Sequence, residues 1–316
     1  MNIWVSENAE NEMKMLEYIN FPASFHLNNR GVSIKNIDYT KYDAFIYSTK
    51  EFVPNDALFL LENNYKVFLL CIHGDGFHLK NRKDFLKYDN FKIITSAIDG
   101  GTEGQILDYP NTYLNVTLSL VYFYTLFAVE LFEFHKTISD KKYKIGLWHR
   151  EGYRDDRDFL LREIRKSNYV NLFKIVEQKQ SNLYDLLIGR EIESSYKQWS
   201  VQFFNFMDCE LFLSFESSNT DAIAFFCSDK ILKGFVMESL GIPTIHILQN
   251  RIKSELEKDG FDIIGYTSYQ PEIVTDISNL NTSELIKRNT ESNNLKKLED
   301  MIKSGHILNQ LKNVML

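Results

Sequence analysis

The chain has 316 residues, 44% of them hydrophobic and 25% charged, the balance of a globular protein and not of a fibrous, collagenous or largely disordered one. At roughly 150 residues per domain two domains are expected, each able to bury a core without disulfide staples. Lys+Arg number 36 against 43 Asp+Glu, a formal charge of −7. No nucleic-acid partner is therefore expected, and any anion must be met by a local cluster of cations.

Three cysteines, Cys71, Cys209 and Cys227, stand in or beside apolar runs with no metal-type spacing, which reads as buried thiols in a reducing cytoplasm. The start, Met1 to Val5, turns acidic at Glu7, Glu10 and Glu12, unlike a signal peptide. The most apolar stretch, 113–134, holds Asn115, Glu130 and Glu133; it is expected to be one long buried helix and not a membrane span.

Along the chain, short β-rich runs alternate with amphipathic ones, as in βα units around a parallel sheet. Strands are expected at 2–5, 44–47, 66–72 and 91–95, with helices starting near Glu10, Pro54 and Asn81. The polar stretch Ser139-Asp140-Lys141-Lys142 reads as a domain hinge. A second series follows: strand 143–148, helix 153–166, strand 172–176, a helical region 194–205, strand 210–215, helix 229–240 ended by Gly241, strand 243–247, and polar helix from Glu284 onward. The expected fold is α/β, two Rossmann-like domains facing a central cleft, with residues 1–139 as the first domain and 140–316 as the second. Ligands of such sheets lie at the C-terminal ends of the strands. Neither a Gly-x-Gly-x-x-Gly nor a Walker A sequence is present, which removes the most specific support for dinucleotide oxidoreductases and P-loop NTPases.

Two stretches of the second half carry candidate chemistry. Trp148 to Arg157 places Arg150, Arg154 and Arg157 in one loop and the first turn of a helix, where cations are disfavoured unless an anion or acidic neighbours compensate. Guanidinium forks and free helix N–H groups together suit a diphosphate; pairing of the arginines with Asp155, Asp156 and Asp158 is the alternative. The second stretch runs from the strand ending at Glu216, through Ser217, to Ser228-Asp229-Lys230-Ile231 and Gly241-Ile242-Pro243. Glu216 could accept hydrogen bonds from ribose or sugar hydroxyls, Ser228 is a good N-cap, and Lys230 is again a cation at a helix start. Pairing of Lys230 with Asp229 or Glu216 is the alternative there.

The order Phe-Glu-x-Ser, Ser-Asp-Lys-Ile, then a helix ending in Ile-Pro resembles the Phe-Glu-Asn-Ser … Thr-Glu-Lys-Ile … Val/Ile-Pro signature of the α-1,3-fucosyltransferases and related GT-B glycosyltransferases. The resemblance covers about a third of the chain. Ser217 stands where that family has Asn, Ser228-Asp229 where it has Thr-Glu, and the interval from Glu216 to Lys230 is longer. It implies that residues 1–139 are the acceptor domain and 140–316 the nucleotide-sugar donor domain, GDP-fucose being that family's donor, with Glu216 near the ribose or sugar and Lys230 and an arginine on the diphosphate.

In the first half, His73-Gly74-Asp75-Gly76-Phe77-His78 and Asp99-Gly100-Gly101-Thr102-Glu103-Gly104 follow strands and carry carboxylates. An inverting sugar transfer needs a base for the acceptor hydroxyl, and Asp75, Glu103, Asp99 and His73 are the candidates. A metal held by His73, Asp75 and His78 is disfavoured, because the glycines between them suit a turn and not a rigid ligand set. The expected function is transfer of a sugar from a nucleotide-sugar to a glycan or lipid-linked glycan acceptor in bacterial surface polysaccharide or lipopolysaccharide synthesis, with inversion and with neither metal nor cofactor. The expected setting is the cytoplasm, with peripheral association at the inner membrane face. A nucleotide-sugar 2-epimerase on the same scaffold and a noncatalytic bilobed binding protein are the alternatives.

Overall fold

The computed structural model describes residues 1–28, 32–48, 52–72, 83–98, 111–131, 140–149, 155–177, 205–215, 225–226, 228–266 and 272–316. The fold is α/β, and the chain divides into two compact units: Met1–Leu126 with Thr220–Cys227 and Asp300–Leu316, and Phe127–Asn219 with Ser228–Glu299. Among the described residues no helix is long and apolar enough to cross a membrane.

The first unit contains β1 (Asn2–Val5), α1 (Glu10–Tyr18), β2 (Ser24–Leu27), β3 (Ala44–Ser48), α2 (Pro54–Glu62), β4 (Lys66–Cys71), β5 (Phe91–Thr95), β6 (Ala97–Ile98), β7 (Thr112–Leu114) and α3 (Thr117–Leu126). Its main sheet is parallel in the order β2-β1-β3-β4-β5-β7. Strands buried on both faces should read as nearly continuous apolar runs, and all five residues of β3 are buried. One face packs Trp4, Phe45, Tyr47, Val67, Leu69, Phe91 and Ile93 on Ala57, Leu60 and Leu61 of α2. The alternate residues, Ile3, Val5, Ile46, Phe68, Leu70 and Ile94, are as deeply buried.

The expected helix over 113–134 is not one helix. Tyr113 belongs to β7, α3 runs only from Thr117 to Leu126, and Ala128 adopts a left-handed φ of 47° that ends it. Near Asn81 the described residues form only a short 3-10 turn, Lys83–Lys87.

The second unit contains β8 (Tyr143–His149), α4 (Asp155–Lys166), β9 (Phe173–Glu177), β10 (Cys209–Phe215), α5 (Asp229–Ser239), β12 (Thr244–Ile247), α6 (Asn250–Lys258), β13 (Gly265–Tyr266), α7 (Glu272–Asn279), α8 (Thr282–Ser292) and the start of α9 (Asn294–Lys303). Its sheet is parallel in the order β13-β12-β10-β8-β9. Numbered within each unit, both sheets begin 2-1-3-4-5, the flavodoxin-like form of the doubly wound fold. The strand order therefore reverses between β1 and β3 in one unit and between β8 and β10 in the other.

Two segments belong to the first unit although they follow parts of the second. β11 (Phe225–Phe226), which lies in sequence between β10 and α5, pairs antiparallel with β6. The last helix, α10 (His306–Met315), returns as well. Its buried residues are Ile307, Leu311 and Met315. Terminal carbonyls that no helical N–H can reach are met by lysines: Lys92 Nζ donates to Val314 O at 2.6 Å and Lys66 Nζ to Leu316 O at 3.0 Å. Residues 300–316, expected in the second domain, thus pack with the first.

α5 is seated on β10 and β12 by polar contacts inside an apolar layer. Ser214 Oγ donates to Lys230 O at 2.9 Å, and Thr244 Oγ1 donates to Gly234 O at 3.1 Å. Gly234 makes the close approach possible, since a Cβ there would lie 2.4 Å from His246 Cε1 and 2.9 Å from Thr244 Cγ2. Gly234→Ala should accordingly lower stability. Overpacking costs about 1–3 kcal/mol against about 1 kcal/mol gained in helix propensity. Chemical denaturation of both proteins checks the sign, and a more stable alanine variant would contradict the seat.

Candidate functional site

The best-described candidate site is the first turn of α5. Ser228, in extended conformation (φ −89°, ψ 175°), caps the helix, its Oγ accepting from Lys230 N at 3.3 Å. Ile231, Leu232, Phe235 and Val236 bury the apolar face. The helix ends where Gly241 takes a left-handed φ of 82°, with Gly241 N donating to Glu238 O and Ile242 N to Met237 O, as a glycine C-terminal stop requires.

The charges of this turn are arranged around one carboxylate. Lys233 Nζ lies 2.7 Å from Asp229 Oδ2, while Lys230 Nζ is 3.9 Å from Asp229 Oδ1 and donates to Ser228 Oγ at 3.2 Å. Lys230 and Lys233 thus stand with Asp229 at the N-terminal end of the helix, the end whose macrodipole favours anions. Lys233 Nζ also lies 5.9 Å from the ring centroid of Trp148 near the end of β8. The two stretches singled out in the sequence therefore meet, and they do so at the second unit's switch point, between β8 and β10. The sequence reading passed over Lys233, although its i,i+4 spacing from Asp229 on the helix was a usable signal.

Of the sequence-predicted residues, Ser228 and Lys230 stand in this turn as described. α4 begins at Asp155, which puts Arg157 in its first turn, with its side chain outside the described residues. Arg150, Arg154, Glu216, Ser217, His73, Asp75, Asp99 and Glu103 all lie outside the described residues. Among the described residues no three His, Cys, Asp or Glu side chains group closely enough to hold a metal ion. Cys71 and Cys209 are buried free thiols; burial pushes the Cys209 thiol up to about 12, with Asp208 adding to the rise.

Behind the seat of α5 is a buried polar pair that the sequence reading also missed. His246 Nε2 lies 3.7 Å from Glu238 Oε1, with both side chains at 2% exposure or less. Asn294 Nδ2 donates to Glu238 Oε2 at 3.0 Å and to Asp262 O at 2.8 Å, and Asn294 Oδ1 accepts from Asp262 N at 2.9 Å. Asp262 in turn is held by the Arg288 guanidinium on α8. Desolvation holds the Glu238 carboxyl above the ordinary carboxylate range, against the opposing pull of His246 and Asn294.

No protein-family model matches the chain, and no curated protein matches it. Among solved structures it is similar to the glycotransferase of kitacinnamycin, with a TM-score of 0.42, 9% identity and 98% of each chain covered. It is similar to MnaA of S. aureus in complex with UDP, with a TM-score of 0.42 and 10% identity over 98% of this chain and 97% of that one. It is also similar to a TarM mutant of S. aureus in complex with fondaparinux, α-GlcNAc-glycerol and UDP, with a TM-score of 0.38 and 12% identity over 82% of this chain and 58% of that one.

A carboxyl whose value rises on folding stabilises the fold when protonated, fully below its unfolded value, and that contribution is lost as pH rises through the folded value. Glu238→Gln keeps the acceptor for Asn294 and removes the titration. Melting temperatures from pH 4 to pH 8 should show the glutamine variant gaining on the parent protein as pH rises; parallel curves would contradict the raised carboxyl.

Proposed function

We propose that the chain is a glycosyltransferase of GT-B type whose nucleotide-sugar donor binds at the C-terminal edge of the second unit's sheet. The observation that carries this reading is the meeting of Trp148 at the end of β8 with the Ser228-capped, lysine-bearing turn of α5 at the sheet's switch point. The fucosyltransferase-like order of residues found in the sequence supports it independently. In this reading Lys230 and the arginines Arg150, Arg154 and Arg157 balance the diphosphate charge, and the Ser228 turn presents helix N–H groups to it. Glu216, with Ser217, accepts hydrogen bonds from donor hydroxyls, in which GDP-fucose is the first donor to test.

The reaction is a single displacement. The acceptor hydroxyl oxygen forms a bond to the anomeric carbon while the bond from that carbon to the nucleoside diphosphate oxygen breaks, and the configuration inverts. A base takes the hydroxyl proton, for which Asp75, Asp99, Glu103 and His73 are the candidates. Cationic side chains supply the countercharge on the leaving group, so the transfer proceeds without a metal. A glycan or lipid-linked glycan of the bacterial surface is the acceptor class that suits this reading.

Lys230→Ala and Arg150→Ala should each weaken GDP or UDP binding by about 1.5–3 kcal/mol, the loss of one charge-assisted hydrogen bond, while leaving the melting temperature near that of the parent protein. Calorimetry on the three proteins, with and without EDTA, checks both the site and the absence of a metal requirement. Unchanged affinity in both variants would contradict the site. On the parent protein, sugar transfer or donor hydrolysis supports the transferase, interconversion of the sugar identifies an epimerase, and binding without turnover identifies a binding protein.

A further inference from the structure

The seat of α5 contains a titratable pair that no step of the proposed reaction uses. Among the described residues Glu238 Oε1 and both ring nitrogens of His246 have no hydrogen-bond partner, although buried polar atoms are ordinarily satisfied. What faces Oε1 is His246 Nε2, 3.7 Å away, about half an ångström beyond a hydrogen bond. The ring is also wedged against the helix. A Cβ at Gly234 would lie 2.4 Å from Cε1 and 3.0 Å from Nε2, so the imidazole stands between Gly234 and Glu238, one turn apart on the same face of α5. Phe235 meets it edge-on with centroids 6.0 Å apart, and His246 N donates to Ile264 O at 2.8 Å, which fixes its strand.

Lys230 lies one turn before Gly234, about 6 Å along the helix axis. A shift of α5 on this seat is therefore carried to the Ser228 cap and to the turn that follows it. The pair is neutral when it holds one proton: the acid O–H donates to the imidazole, or the imidazolium N–H donates to the carboxylate. Without that proton a buried carboxylate faces a neutral ring, and an uncompensated buried charge is costly.

The neighbouring charges do not relieve it. Asp262, across Asn294, opposes a second negative charge at Glu238. Arg288 of α8 pairs with Asp262, and Lys297 of α9 and Lys253 of α6 act on that same carboxylate. On α5 itself Asp229, Lys230 and Lys233 stand at the other end. Desolvation favours the protonated acid at Glu238. We propose that Glu238 and His246 are positioning residues for the first turn of α5: closed by one proton they clamp the helix on β12, and loss of that proton as pH rises loosens residues 228–233. That the turn holds a nucleotide rests on the function proposed above; the clamp does not.

Hydrogen exchange of the full chain without ligand, from pH 6 to pH 9 and with intrinsic rates divided out, reads the clamp. In the parent protein the protection of 228–233 should fall as pH rises. Glu238→Gln keeps an acceptor for Asn294 and turns an amide N–H toward His246 at every pH, so it should retain the protection, leaving about three- to thirty-fold between the two proteins at pH 9. Peptides 155–166 and 173–177 of the same unit should match in both. Equal protection of 228–233 at every pH, or a difference spread evenly over the unit, would overturn the inference. GDP and UDP affinities measured on the same samples should diverge by the same factor, the nucleotide's own titration cancelling in the ratio. Binding with a ratio independent of pH would overturn the positioning role. Binding by neither protein would sink the nucleotide site, and the exchange data would still decide the clamp.

Discussion

Everything proposed for the second unit depends on how closely α5 can approach the sheet. A parallel strand delivers whatever follows it to one edge, but the helix that returns must lie at a fixed height for its first turn to reach that edge. Gly234 allows the approach, His246 fills the space a side chain would have taken, and the hydroxyls of Ser214 and Thr244 lock the helix in register by bonding to its carbonyls. Side chains that bond to carbonyls already used within a helix are common in seats of this kind, because each carbonyl oxygen has two lone pairs. Glu238 and Asn294 then tie the far end of α5 to α9, so the helix is held along its length and not only at its apolar face.

The two units share a strand order and differ in what they place at the edge. The second unit puts lysines there, gathered around Asp229 at the positive end of a helix. In the first, Ser6, Asn8 and Tyr47 carry buried polar atoms with no hydrogen-bond partner.

The sheets were largely legible in the sequence because parallel strands buried on both faces read as nearly continuous apolar runs, as β3 and β10 do apart from Ser48, Glu210 and Ser214. Ser228 and Gly241 marked the ends of α5 through capping chemistry that is local. What stayed hidden had non-local causes. β2 is an edge strand, mostly exposed, with no apolar run to announce it. The stretch 113–134 reads as a helix throughout, and only pairing of β7 with β5 and the left-handed Ala128 divide it. The return of α10 to the first unit rests on Lys66, Lys92 and Asn115, more than 190 residues away in sequence. In the site, the lysine at the helix start was visible as an anomaly, whereas the Lys233 to Trp148 contact and the Glu238 to His246 pair exist only through the packing of α5 on its sheet.

The central claim is that a nucleoside diphosphate is held by the first turn of α5 and the end of β8. Hydrogen exchange followed by mass spectrometry, with and without saturating GDP or UDP, reads it directly. The account predicts slowed exchange in peptides covering 228–233 and 145–149, with the β1 and β3 peptides unaffected by nucleotide. Protection confined to other segments, or none with either nucleotide, would contradict it.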